Sequence, residues 1–163
     1  MPARGDGTVE STRASGSDQP LDATVAVIDL PVRFAETDAM GIVHHSNYLV
    51  WFEAGRIAWM AAAGMPYSEI AAGGHHFAVT SVNVAYRTPA RFGESVRVAT
   101  RLTRLRSREV AFAYEVRRAG DDAFLASGVS EHICVDLQGR TAKIPDEVMA
   151  QLRQGTVAPA NGA

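Results

Sequence analysis

The sequence of 163 residues is poor in cysteine, in net charge and in long apolar runs. Its single cysteine, Cys134, excludes an intrachain disulfide and a cysteine-based zinc site. The formal net charge of −2 gives no global basic field that would attract nucleic acid or an anionic membrane. No apolar run has the length of a membrane span or a secretory signal. We therefore expect a cytoplasmic protein that binds neither nucleic acid nor membrane.

The overall composition is that of a globular domain, with 47% hydrophobic and 21% charged residues. This length suits one domain that buries roughly two thirds of its unfolded surface. Residues 1–23 and 155–163 contain too few large apolar side chains to offset the entropy lost on ordering, which predicts two disordered tails. The folded domain is expected over 24–154.

The apolar pattern of this domain predicts a strand over 24–34 and then a long helix from Ser46 or Asn47 to Ala63. After residue 74 the apolar period changes to two, which is typical of strands. Four further strands are predicted over 76–87, 94–105, 109–119 and 123–137, followed by a short helix over 145–154.

The long helix is apolar on nearly every side, so most of its surface must be covered. Ser46 is placed to cap its start and Gly64 to end it. Glu53 and Arg56 are its only charged residues, and their spacing of three predicts an ion pair. Gly55 in its middle costs about 1 kcal/mol relative to alanine, which predicts a close approach by another part of the protein.

This order of elements predicts an α+β fold, in which one antiparallel sheet of about five strands covers the helix. One sheet cannot cover a helix that is apolar nearly all round. A second copy of the chain is the simplest remaining cover, so we expect a homo-oligomer, either a homodimer or a homotetramer.

The most distinctive segment is VRFAETDAMGIVHHSNYLVWFEAGR, residues 32–56. An aromatic residue, an acid, Thr-Asp, a glycine, two apolar residues and a histidine follow one another just before the helix. This segment resembles the signature of the 4-hydroxybenzoyl-CoA thioesterase family, especially its branch of short acyl-CoA thioesterases related to the Tol-Pal-associated thioesterase. The segments RTPARFGESVRV and AKIPDEV also resemble landmarks of that family. The resemblance implies the hotdog fold and hydrolysis of an acyl thioester.

By this resemblance, Asp38 is the catalytic carboxylate, acting either as general base for water or as nucleophile. An isolated aspartate here would be an ordinary turn residue, and Asp38 is too far from Ser46 to cap the helix. The resemblance also directs the backbone N–H of His45 at the thioester oxygen, a contact typically worth about 3–4 kcal/mol of the barrier. The imidazole of His45 either serves the site, orienting substrate or relaying a proton, or bonds only to nearby backbone.

Substrate-binding roles are expected for Gly41, where the backbone can lie close to a ligand, and for Tyr48, which either packs against the acyl group or forms a hydrogen bond near the loop. A plain turn glycine and a core tyrosine are the alternatives. The resemblance also matches Arg104, Arg106 and Arg108 to a basic cluster that meets the phosphates of coenzyme A. A solvated turn is the alternative for these three arginines.

The expected partner is an acyl-CoA or an acyl-carrier-protein thioester, with no cofactor. A metal site is not predicted from the pairs His44–His45 and His75–His76, because adjacent side chains point apart. Glu53 could be taken for the helix-borne carboxylate of a distant hotdog branch, but the intact loop motif favours Asp38. Two other functions stay open for the fold: a non-catalytic acyl-CoA-binding module and an enoyl thioester hydratase.

Overall fold

The computed structural model describes residues 24–156. The predicted disorder of residues 1–23, and that of 157–163, lies outside the described residues. Gly155 and Thr156 form the turn that ends the last helix, and Thr156 is buried.

Within residues 24–156 the chain forms five strands, three α-helices and one turn of 3-10 helix over Phe34–Glu36. The strands are β1 (Ala26–Pro31), β2 (His75–Tyr86), β3 (Ser95–Leu105), β4 (Glu109–Arg118) and β5 (Phe124–Asp136). The helices are α1 (Asn47–Ala62), α2 (Tyr67–Ala72) and α3 (Asp146–Gln154). All the predicted strands and both predicted helices are confirmed, with ends that differ by a few residues.

The five strands form one antiparallel sheet in the order β1-β3-β4-β5-β2. Helix α1 packs against β1, β3 and β4 on one face of this sheet. The predicted α+β hotdog architecture is therefore confirmed. Strands β1 and β2 are the two edges, so the outer edge of β2 has no neighbouring strand within the described chain.

The contact between α1 and the sheet depends on a glycine and a stacked aromatic pair. A Cβ atom on Gly55 would overlap Oγ1 of Thr100 and lie 3.1 Å from Cγ1 of Val98, which confirms the predicted close approach. One turn earlier, the ring of Phe52 stacks on Tyr114 with centroids 4.3 Å apart. Helix α1 can therefore lie directly on β3 and β4, and this holds its start beside the sheet.

The two predicted ends of α1 differ in outcome. Gly64 adopts a left-handed φ of +79° just after the helix, as its predicted role requires. The predicted side-chain cap by Ser46 is wrong, because Ser46 already has helical dihedral angles and its Oγ bonds Nδ1 of His44 at 2.8 Å. A capping residue normally keeps extended angles that aim its oxygen at the first free amides.

Candidate active site

The loop between β1 and α1 is a tight turn built around Asp38. The N–H of Gly41 donates to the carbonyl of Asp38 at 2.9 Å, and the N–H of Asp38 donates to the carbonyl of Ile42 at 2.9 Å. Gly41 has a φ of +72°, a left-handed conformation that favours glycine. An antiparallel bridge between Thr37 and Val43 closes the base of the loop. Gly41 is thus required by the turn itself.

Glu36 ties this loop to the start of α1. Its buried carboxylate accepts hydrogen bonds from the N–H of Arg33 at 2.8 Å and from Nε1 of Trp51 at 3.2 Å. Its backbone carbonyl accepts from the N–H of His44 at 2.8 Å and from Nδ2 of Asn47 at 2.9 Å. Sequence reasoning gave Glu36 no role. The available signal was the spacing of three between Arg33 and Glu36, which is that of a capping box.

Asp38, His45 and Tyr48 line one cleft of about 260 Å³, together with Tyr86 and Arg87. The loop supplies the first two side chains, α1 supplies Tyr48, and the end of β2 supplies Tyr86. The fold therefore brings together three of the residues that the sequence indicated. Gly41 supports the loop behind them without lining the cleft.

Asp38 is partly exposed, and the two oxygens of its carboxylate differ in their hydrogen bonds. Oδ1 accepts a hydrogen bond from the N–H of Met40 at 2.8 Å. Within residues 24–156 the other oxygen accepts no hydrogen bond. Asp38 is therefore both a turn residue and a cleft residue: one oxygen fixes the orientation of the carboxylate, and the other is free to act as a base.

His45 lines this cleft just before the start of α1. Its N–H donates no hydrogen bond to any residue of the described chain, whereas its carbonyl accepts from the hydroxyl of Tyr86 at 2.9 Å. Helix α1 begins two residues later, so this free amide lies at the positive end of the helix dipole. The exposed imidazole lies against that of His44, with ring centroids 4.1 Å apart and the ring planes tilted by 35°. Such a site can stabilise a developing negative charge on oxygen.

Tyr48 belongs to both the cleft and the core. It is buried, and its ring packs 4.7 Å from that of Trp51 and 5.1 Å from that of Tyr86. Its hydroxyl accepts a hydrogen bond of 3.4 Å from the N–H of Ala90, and burial raises the pKa of this hydroxyl. Tyr48 therefore stays neutral near pH 7 and keeps a proton to donate.

The predicted basic cluster lies apart from this cleft within one chain. Arg104 pairs with Glu131 at 2.5 Å, Arg106 lies 4.0 Å from Glu109, and Arg108 forms no ion pair within the described chain. None of these three arginines lines the cleft of Asp38.

A basic residue that sequence reasoning missed, Arg87, lines the cleft instead. Nearby, Nη1 of Arg91 donates to the carbonyl of Gly41 at 3.3 Å. Both arginines belong to the segment 87–98, which was recognised only as a landmark of the family. The sequence signal for these two arginines was therefore this segment, although nothing in the sequence alone connects it to the loop of Asp38.

The predicted ion pair between Glu53 and Arg56 is wrong. Within residues 24–156 no carboxylate lies within 4.0 Å of Arg56. Nη1 of Arg56 instead lies 3.2 Å from Nε2 of His132, while Glu53 is exposed. The guanidinium extends toward the buried polar groups of the sheet rather than along the helix surface.

His132 belongs to a buried polar chain that sequence reasoning did not find. The hydroxyl of Tyr114 lies 2.7 Å from Oγ of Ser130, which lies 2.7 Å from Nε2 of His132. Burial, and then the positive charge of Arg56, lower the pKa of His132 to about 4. Ser130, His132 and Cys134 occupy alternate positions of β5, and all three are buried. The sequence signal for this buried polar chain was the presence of two polar residues, Ser130 and His132, at alternate positions of an otherwise apolar strand.

The pair Ser130–His132 superficially resembles a nucleophile and its base. A catalytic pair of this type must stabilise a protonated imidazole, usually with a carboxylate. The charged neighbour here is Arg56, and it disfavours that proton. Ser130 and His132 therefore lack the acidic partner that a catalytic pair of this type needs.

The described part of the chain holds no cluster of three or more side chains of the kinds that bind metals. No helix in it has the length and apolarity needed to cross a membrane.

Comparison with known proteins agrees with the geometry. Residues 32–152 match the family model of the Thioesterase-like superfamily. YneP, a candidate acyl-CoA thioesterase of Bacillus subtilis (strain 168), is 38% identical over 109 residues, which are 66% of this chain and 78% of YneP. The acyl-CoA thioester hydrolase YbgC of Escherichia coli O157:H7 is 26% identical over 127 residues, 76% of this chain and 94% of YbgC.

Among solved structures, the hypothetical protein TT1821 from Thermus thermophilus is 44% identical, with a TM-score of 0.73. The match covers 79% of this chain and 95% of TT1821. The family match spans the loop of Asp38, helix α1 and four of the five strands, β2 to β5. The chain therefore belongs to the Thioesterase-like superfamily.

Proposed function

We propose that this protein is an acyl-CoA thioesterase, which hydrolyses an acyl or aroyl thioester to a free acid and coenzyme A. The observation that carries the proposal is the shared cleft at the start of α1. There Asp38 and His45, whose backbone amide is unpaired within the described chain, line the same cleft. Names of relatives such as YneP and YbgC support the same substrate class.

Asp38 supplies the base or the nucleophile. As a base, its free oxygen takes a proton from water while the water oxygen bonds to the carbonyl carbon. As a nucleophile, the same oxygen bonds to that carbon, and water later hydrolyses the resulting anhydride. In both routes the carbon–sulfur bond breaks, and the thiolate of coenzyme A leaves and takes up a proton.

The amide of His45 stabilises the carbonyl oxygen as negative charge develops on it. A backbone donor costs no reorganisation at the moment of reaction, since the start of α1 already fixes it. The imidazole of His45 orients the substrate or relays a proton close to neutral pH. Tyr48 forms the wall against which the acyl group packs, as its position in the cleft allows.

The phosphates of coenzyme A need basic groups near the mouth of this cleft. We assign the first of these contacts to Arg87, which lines the cleft and forms no ion pair within the described chain. The predicted phosphate contacts of Arg104, Arg106 and Arg108 stay predictions, because these residues lie apart from the cleft of the same chain.

A homodimer or homotetramer is part of this proposal. The outer edge of β2 has no neighbouring strand in the described chain, and apolar side chains of α1 such as Leu49 and Ile57 are 42% and 43% exposed. A second copy would cover both features. The cytoplasmic location, and the choice between coenzyme A and carrier-protein thioesters, also stay predictions.

A panel of thioesters tests the proposal. Thiol release from saturated acyl-CoA, aroyl-CoA and acyl-carrier-protein substrates, measured with a chromogenic thiol reagent, is expected for wild type and lost in Asp38→Asn. Asp146→Asn, an exposed aspartate on α3, is the matched control and should keep full activity. Loss of enoyl absorbance without thiol release would indicate a hydratase. Tight binding of acyl-CoA with no turnover of any thioester would indicate a binding module.

A further inference from the structure

One tyrosine of the candidate active site is bonded to the backbone of the loop beside it. The hydroxyl of Tyr86 donates a hydrogen bond of 2.9 Å to the carbonyl of His45, which lies 41 positions away in the sequence. A hydroxyl has a single proton, and this one is already donated to that carbonyl. Tyr86 therefore lines the cleft of Asp38 without a free proton for a substrate.

Tyr86 is firmly held at the end of β2. It pairs with Ala126 of β5, and the N–H of the next residue, Arg87, donates to the carbonyl of Leu125 at 2.8 Å. Its ring lies edge-on to that of the buried Tyr48, with centroids 5.1 Å apart and ring planes at 87°. The sheet thus fixes the backbone of Tyr86 and α1 fixes its ring, so the hydroxyl is a rigid anchor for the group it bonds.

The carbonyl that accepts this bond belongs to the residue whose amide is free. Helix α1 holds the peptide unit before His45, because the carbonyl of His44 accepts from the N–H of Asn47 at 3.0 Å. The peptide bonds of the described residues are trans, so the N–H of His45, in the same peptide unit, points away from Asn47. This N–H donates to no group of the described chain. It is therefore directed away from the helix and left available for a ligand.

The peptide unit after His45 is held through Tyr86. The N–H of this unit, that of Ser46, lies 3.3 Å from Nδ1 of His44, an exposed ring nitrogen that cannot accept once it is protonated. The carbonyl of the unit accepts from Tyr86. Of these two bonds, only the one from Tyr86 ties the unit to the sheet. The orientation of His45 depends on both of its peptide units, because they set its φ and ψ.

We propose that Tyr86 is a positioning residue, whose hydroxyl holds the backbone of His45 so that the N–H of His45 stays aimed at the thioester oxygen. The inference rests on the proposed function and adds to it a residue of β2 that lies outside the loop motif. An oxyanion donor stabilises the transition state more than the bound substrate, so a misdirected donor lowers kcat while KM changes little. Partial burial raises the pKa of Tyr86, so its hydroxyl keeps the proton that this bond needs.

Tyr86→Phe tests this role, because phenylalanine keeps the ring against Tyr48 and removes only the hydroxyl. Complete loss of an oxyanion donor costs about a hundredfold or more in kcat, and a misdirected donor keeps part of its effect. We therefore expect kcat for the best acyl-CoA to fall about tenfold, with KM changed less than about twofold. The pH at which kcat is half-maximal should stay that of wild type, since Tyr86 transfers no proton.

Tyr67→Phe is the matched control. The hydroxyl of Tyr67 lies 3.1 Å from Nδ1 of His76, and neither residue lines the cleft of Asp38, so kcat should be unchanged. A wild-type kcat in Tyr86→Phe would overturn the inference. A raised KM at wild-type kcat would overturn it too, because Tyr86 would then be a simple substrate contact. So would a displaced pH profile, which would mean that Tyr86 transfers a proton. A wild type that releases no thiol from any thioester refutes the proposed function instead.

Infrared spectroscopy of a bound substrate reads the aim of the amide without turnover. The probe is the same acyl-CoA with an isotopically labelled thioester carbonyl, bound to Asp38→Asn. A hydrogen bond from the N–H of His45 lowers the stretching frequency of this carbonyl relative to the thioester in an apolar solvent. Adding Tyr86→Phe to this variant should remove part of the shift, whereas adding Tyr67→Phe should leave it unchanged. An equal shift in all these variants overturns the inference, whether or not wild type hydrolyses the thioester, and absence of acyl-CoA binding overturns both proposals.

Discussion

Acidification is expected to destabilise this protein through one buried histidine, His132. Its ring is 1% exposed, and Nε2 lies 2.7 Å from Oγ of Ser130. The groups that face it are Arg56 from α1 and, through Ser130, the hydroxyl of Tyr114 from β4. None of these neighbours is an acid that could stabilise a protonated ring. Burial and Arg56 therefore lower the pKa of His132 to about 4.

The magnitude follows from the shift between the ordinary pKa of 6.5 and the folded value of about 4. Between these values the unfolded chain binds a proton that the folded chain does not, so stability falls as the pH falls. Relative to neutral pH, the loss is about 2 kcal/mol at about pH 5 and levels off at about 3 kcal/mol below about pH 4. Above about pH 7 the contribution of this histidine is constant.

Urea unfolding of wild type and His132→Gln at about pH 7.5 and about pH 5 measures this effect. Glutamine does not titrate, and its side-chain amide can still bond Ser130. The four other histidines are common to both proteins and cancel in the comparison. Wild type should lose about 2 kcal/mol more than His132→Gln between the two pH values. Equal losses in the two proteins would refute the reasoning, because they would mean that His132 takes up its proton without unfolding.

Three further predictions concern Gly55, Glu36 and Arg87. Gly55→Ala should destabilise the fold by about 1–3 kcal/mol, because the new methyl overlaps the side chain of Thr100, and Thr100→Ala should relieve much of that loss in urea unfolding. Glu36→Ala should lower the free energy of unfolding by about 1–3 kcal/mol and should also lower kcat, because the N–H of Arg33 and Nε1 of Trp51 lose their acceptor. An unchanged stability and kcat would contradict the role of Glu36 in anchoring the loop. Arg87→Ala should raise the KM for acyl-CoA about tenfold with little change in kcat, because Arg87 lines the cleft. Arg101 is exposed elsewhere on the sheet, so the control Arg101→Ala should change neither value. An unchanged KM in Arg87→Ala would contradict the prediction.

The fold could be predicted because its determinants are local. Alternating apolar residues identified β3 and β4, apolar segments bounded by turns indicated the other three strands, and Gly64 marked the end of α1 at a left-handed turn. The cost of Gly55 inside the helix correctly indicated a close contact, although the sequence could not name Thr100 as the contacting residue. The loop motif likewise predicted residues that share one cleft, since Asp38 and His45 lie close together in the chain.

The remaining errors involve partners that are distant in sequence. Arg56 contacts His132, which is 76 positions away in the sequence. The spacing of residues along α1 suggested Glu53 as its partner and could not indicate His132. Ser46 bonds His44 because the turn before α1 already has helical angles there, a detail of backbone geometry. The position of Arg87 on the cleft likewise depends on where β2 ends beside the loop. Such contacts appear only once the sheet is assembled.

The central claim is that the carboxylate of Asp38 drives cleavage of a bound thioester. Its most direct test is the effect of Asp38→Asn on kcat for the best acyl-CoA, together with the Kd of that variant for the same substrate. Asparagine keeps the size of the side chain and an oxygen that can accept the hydrogen bond from Met40, so the loop should persist. We expect kcat to fall at least about a hundredfold while Kd changes less than about threefold. A variant that turns over its substrate at close to the wild-type rate would contradict the account.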